Sequence, residues 1–129
     1  MAEFEDFILS EMHDFQIENI EEIKYYKWRA NTSIGDARNY YTEYADACKL
    51  IQQKLRRVSR KMHQRYWYHK SLELVEHDFV LFVDWLDKER QTGTEVYPYK
   101  GHTDAFTTFY NFFYFLLRVY QVNAQRQAE

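Results

Sequence analysis

Glycine and proline are scarce: three Gly and one Pro in 129 residues leave little turn chemistry. A sandwich or barrel of short strands needs a turn about every 8–12 residues, so that class is excluded and helices are what remain. One cysteine, Cys48, excludes an internal disulfide and any cysteine-rich zinc site, and it fits a reducing compartment. No Lys or Arg precedes Lys24, the reverse of the basic start of a secretory signal, so no export signal is expected and a cytoplasmic location is. Long hydrophobic runs are missing too. The most apolar stretch, Phe106 to Val122, is interrupted by Thr107, Thr108, Asn111, Arg118 and Gln121 and falls short of the roughly 20 residues that span a bilayer.

What is present is a chain able to fold. Hydrophobic residues make up 46% and charged residues 29%, enough apolar surface for a core and far from the composition of a disordered polymer. The length suits a single domain over residues 1–129. The expected fold is an all-α, single-domain bundle of four to five helices with one long central helix at about 33–70.

Hydrophobic spacing supplies the helices. Phe4, Phe7, Ile8, Met12 and Phe15 recur at helical intervals with Glu3, Glu5, Asp6, Glu11 and Asp14 opposite, predicting a short amphipathic helix. Asn19 followed by Glu22 has the form of a capping box, so a second helix is expected from there to near Asn31, carrying Ile20, Ile23, Tyr26 and Ala30. Ser33 with Asp36 marks another start. Beyond it Tyr41, Tyr44, Cys48, Ile51, Leu55, Val58 and Met62 form a seam of alternating three- and four-residue steps. Ser71 is read as the cap of the next helix, in which Leu72, Val75, Phe79, Phe82 and Leu86 repeat that rhythm up to Arg90, packing antiparallel to its predecessor. Gly93, Pro98 and Gly101 then gather in Gln91 to Thr103, which reads as one long loop, with Thr103 capping the last helix and Asp104 in its first turn.

The last helix carries polar residues at Thr107, Asn111, Tyr114, Arg118, Gln121 and Gln125, a single narrow stripe. One flank presents Phe106, Phe109, Tyr110, Phe113, Leu116, Leu117 and Tyr120; the other presents Phe112, Phe115, Val119 and Val122. A helix apolar over most of its girth lies at the centre of a bundle, or gives one face to the core and another to a partner. At 19% aromatic, the chain has more such area than one small core usually needs. Phe109, Phe112, Phe115 and Val119, with Tyr97 and Tyr99 of the loop, are the residues expected at a protein contact.

Charge is segregated behind a net of −3. Residues 1–23 hold eight acids, Glu18, Glu21 and Glu22 among them, and no Lys or Arg; residues 47–72 hold eight bases and no acid. Lys54, Arg56, Arg57, Arg60, Lys61 and Arg65, followed by Tyr66, Trp67 and Tyr68, interleave cations with rings as a single-strand stacking platform does. The favoured reading of the same surface is that the acidic N-terminal helix of this or a neighbouring copy lies near it, ahead of nucleic acid and of another acidic protein.

Arg57 and His63, with five residues between them, resemble the arginine–histidine element of HEPN-type ribonucleases, all-helical domains of similar size. The resemblance rests on these two positions. It implies His63 as general base on a ribose hydroxyl and Arg57 as phosphate holder. Here Val58 follows the arginine, where those families usually carry a polar residue, and six positions on a continuous helix turn the two side chains through about 600°. Glu73, Glu76 and His77 lie close on one helix, yet a di-metal site wants Glu-x-x-His on two helices plus further Glu residues, and no second copy of this cluster exists. Cys48 on the seam reads as an inert buried thiol, and His13, His69 and His102 as surface or packing histidines. No cofactor and no metal are expected. The leading expectation is a non-catalytic protein that binds proteins, as a self-assembling homo-oligomeric component or as an adaptor or inhibitor of a larger partner. The alternative is a nucleic-acid-binding module.

Overall fold

The computed structural model describes the backbone of residues 2–128 and the side chains of residues 8–71 and 73–123. Among the described residues there are four helices and no strand: α1 (Ala2–Thr32), α2 (Gly35–Trp67), α3 (Leu72–Val96) and α4 (Gly101–Ala128). The side chains of Glu3, Phe4, Glu5, Asp6, Phe7, Leu72 and Gln125, which the sequence places on particular helix faces, lie outside the described residues.

Residues 2–32 contain neither Gly nor Pro, and the chain runs through them as one helix where two were expected. Asn19 caps nothing. Its side chain turns inward, and its Nδ2 donates to the Cys48 carbonyl at 3.1 Å and to Gln52 Oε1 at 2.9 Å, both on α2. Two long-range hydrogen bonds thus replace the local cap. The reversal into α2 uses Ile34 as a cap residue without a side-chain hydrogen bond, so Ser33 does not cap. Gly35, at φ +63°, takes the left-handed conformation that other residues adopt at a cost of about 1–2 kcal/mol.

Consecutive helices run antiparallel, as paired contacts near and far from each turn show. Arg29 Nη2 donates to Tyr41 Oη at 2.6 Å beside the first turn. Arg65 Nε lies 3.5 Å from Asp78 Oδ2 near the second turn, while Lys54 Nζ stands 5.6 Å from the centre of the Trp85 ring farther along. Thr94 meets Thr103 beside the third turn, and Gln121 Nε2 donates to Glu76 Oε1 at the opposite end. α2 packs against all three other helices, whereas α1 lies mainly on α2 and only grazes α4.

The seam of α2 is the core: Tyr44, Cys48, Ile51, Leu55, Val58 and Met62 are buried, and Tyr41 is half-buried. Met12 of α1, Phe79, Phe82 and Leu86 of α3, and Phe106 and Phe113 of α4 close over it. Each such large side chain contributes about 1.5–3 kcal/mol by leaving water.

Ser71 caps α3, its Oγ accepting from the Leu74 amide at 3.3 Å. That helix passes Arg90 and Gly93 and ends only at Val96, so the expected loop of residues 91–103 shrinks to residues 97–100. Gly93 has a packing role. A Cβ there would lie 2.5 Å from Cδ2 of His102, so the missing side chain lets the imidazole rest on the α3 backbone. Thr103 falls inside the first turn of α4 and does not cap it. Instead Glu43 of α2 accepts from the amides of Tyr99 (3.2 Å) and Gly101 (3.1 Å), bringing a carboxylate to the positive end of α4. Asp104 in that first turn accepts from Tyr40 Oη at 2.7 Å.

Candidate interaction surfaces

α4 divides as its pattern requires. Phe106, Phe109, Phe113, Leu116, Leu117 and Tyr120 are buried, while Phe112, Phe115 and Val122 face outward at 38%, 66% and 42% exposure and Val119 is half-buried. Phe109 is a correction to the expected contact: at 4% exposure it belongs to the core, edge-on to the Phe15 ring at 5.1 Å. Phe112 has one face covered, since Phe15 stacks on it at 4.8 Å and 25°. Phe115 has no comparable neighbour among the described ring pairs.

The expected loop residues part company. Tyr97 is half-buried and lies flat against His102, whereas Tyr99 is partly exposed beside Glu43. Burial holds His102 below the usual histidine range, opposed by Glu89, whose Oε2 stands 3.5 Å from Nε2, and by Glu43.

On α2 the basic side chains do project outward. Lys54, Arg57, Arg60 and Lys61 line a shallow groove of about 370 Å³ with Val58 and Gln64 and with no acid in its wall. Arg56 is exposed beside them. Arg65 is the exception, with Asp78, itself buried, against its guanidinium. Trp67 and Tyr68 are exposed at the end of α2, and Tyr66 is half-buried, its ring edge-on to Trp67 at 4.8 Å. His63 is half-buried and takes no part in lining the groove that holds Arg57, so the two residues behind the ribonuclease resemblance do not converge there.

Cys48 is fully buried, and burial, reinforced by Glu22, pushes its thiol up to about 12. Among the described residues no group of three or more His, Cys, Asp or Glu could hold a metal ion, and no helix is long and apolar enough to cross a membrane.

One feature escaped the reading of the sequence. A cavity of about 370 Å³ opens where α1, α2 and α4 meet. Phe15 and Phe112 stack on one side of it, and Tyr26 stacks on Tyr44 at 4.0 Å on another. Asn19 is also in its wall, and the exposed Glu18 and Glu22 are the charged residues that line it. Burial raises both phenols, and the Glu22 carboxylate pushes Tyr26 the same way, so the tyrosines stay neutral. The signal in the sequence is that Phe15, Glu18, Glu22 and Tyr26 follow at steps of three and four and so share one side of α1, with Asn19 next to Glu18 and three before Glu22.

Comparison of the chain with protein-family models, with curated proteins and with solved structures gives no match.

Proposed function

We propose that this is a non-catalytic binding protein of the cytoplasm, which engages another protein through the outer face of α4, a second copy of itself being the first candidate. One observation carries this reading: Phe115 is 66% exposed in line with Phe112, Val119 and Val122, a contiguous apolar strip on a helix whose other flank already fills the core. Monomeric proteins rarely leave such strips uncovered, and aromatic side chains supply most of the energy of protein contacts. An adaptor or inhibitor of a larger protein would use the same strip. The mass in solution separates the cases, since self-assembly appears as a concentration-dependent rise in light scattering and an adaptor stays monomeric. Replacing Phe115 with Asp lowers the assembly state while helical circular dichroism is retained. Unchanged mass in a folded variant would remove α4 from the contact.

The groove on α2 favours a second reading, a nucleic-acid-binding module. Four cations with no acid among them suit a phosphate backbone, and Trp67 and Tyr68 stand exposed at the end of the same helix. Binding of a labelled single strand at two salt concentrations tests it: phosphate contacts release counterions, so affinity falls steeply as salt rises. Absence of binding at low salt ends this reading.

A further inference from the structure

We propose that the basic groove of α2 receives the acidic face of α1 from a second copy of the chain. The donor face is a compact patch. Ile17 is 55% exposed on α1, with Asp14 and Glu21 three and four residues away and Glu18 beside it, all three acids exposed. The receiving groove has the same plan in the opposite charge: Val58 forms its apolar floor, and Lys54, Arg57, Arg60 and Lys61 surround it. An apolar centre inside a charged rim is how protein contacts are built, and rims of opposite sign select each other.

Two observations assign the acidic face to another copy. Among the described residues none of the four groove cations is in an ion pair, Asp14 and Glu18 are in none, and Glu21 has only an exposed contact with Lys24 at 3.4 Å. The two charge sets therefore do not meet within one chain. The fold keeps them apart: Lys54 at one end of the groove and Arg65 just past the other meet Trp85 and Asp78 of α3, whereas α1 packs on α2 and α4 and does not touch α3. The groove thus follows a side of α2 that α1 leaves free. The rings on which a nucleic acid would stack do not line it, since Trp67 and Tyr68 lie beyond its last residue, Gln64. An acidic helix needs no such rings, and the chain itself supplies one. A contact between unlike faces is heterologous, so each added copy offers a fresh acidic face and a fresh groove, and assembly continues to a ring or a filament.

This rests on the self-association reading and adds a contact independent of the α4 strip, because none of its residues is on α4. The test uses two neutralised variants of the full chain, D14N/E18Q and R57Q/K61Q, all four positions exposed and both folds checked by circular dichroism. Sedimentation measures their association at low and at high salt. Each variant alone is expected to associate about tenfold more weakly than the parent chain. An equimolar mixture, in which one chain keeps the groove and the other the acidic face, regains pairing. High salt weakens the parent more than either variant, since it screens exposed charges. F115D separates this contact from α4: loss of association in F115D, with both neutralised variants unchanged, leaves α4 as the contact and overturns the groove proposal. A mixture no tighter than its components overturns it too, with the α4 contact untouched. A parent chain that is monomeric at low salt ends self-association and this contact together, and binding of a labelled single strand by that monomer, lost in R57Q/K61Q, assigns the groove to nucleic acid instead.

Discussion

The imidazole of His102 lies flat on the ring of Tyr97, the two centroids 4.0 Å apart and the planes 9° from parallel. With Gly93 beneath it and Phe106 at 4.5 Å, the imidazole is closed off from water. Burial disfavours its charged form more than Glu89 and Glu43 favour it, so its pKa is lowered on folding.

The sign of the pH effect follows. Above the ordinary histidine range both folded and unfolded chains hold His102 neutral, and its contribution to stability is complete. As pH falls below that range, the unfolded chain takes a proton that the folded chain resists, and stability is lost until the lowered pKa is reached. Urea unfolding midpoints measured at about pH 7.5 and 5.5 should therefore drop on acidification, and by less in His102→Gln. An equal drop in the variant would place the titrating group elsewhere.

Gly101 is the tightest backbone approach among the three glycines. A Cβ there would meet the carbonyl oxygen of Tyr40 and lie 2.8 Å from the Tyr44 amide nitrogen, and neither atom can rotate away. Gly101→Ala must push α4 off α2 and should destabilise by about 1–3 kcal/mol in urea titration. Gly35 is the useful comparison. Space around it is open, so Gly35→Ala carries only the left-handed backbone cost of about 1–2 kcal/mol and leaves α4 in place. Loss of the Tyr40–Asp104 hydrogen bond in Gly101→Ala but not in Gly35→Ala is the specific signature, read from the tyrosine hydroxyl proton by NMR.

Cys48 offers a probe of global opening. A thiol with no exposure and a pKa pushed up to about 12 presents almost no thiolate near neutral pH. Labelling by a disulfide-exchange reagent should be negligible in the native protein and proceed at the unfolding rate once denaturant is added. Rapid labelling without denaturant would mean that α1 lifts from α2 independently of the rest.

Much of this fold was legible from spacing alone. The α2 seam and the two flanks of α4 were readable because a helix repeats its faces every three to four residues, and burial follows that repeat. What spacing could not resolve was the role of residues whose partners are far away in the chain. Asn19 followed by Glu22 fits a capping box and equally fits a buried amide in mid-helix; its partners at Cys48 and Gln52 decide the matter, and they lie 29 and 33 residues on. Gly93 looked like a helix breaker because its backbone is permissive, but the ring of His102 needs the room and α3 continues. The aromatic cavity is a product of three helices, and no single stretch of sequence contains more than one of its walls.

The brevity of the three connections has a kinetic meaning. Ser33–Ile34 and residues 68–71 and 97–100 bring successive helices together with little chain to close, so most pairings form between sequence neighbours. Such low contact order places folding in the microsecond-to-millisecond range. Only the docking of α4 against α2 joins helices that are not successive over a long span of contact, which makes that step the natural last event of assembly from the unfolded chain.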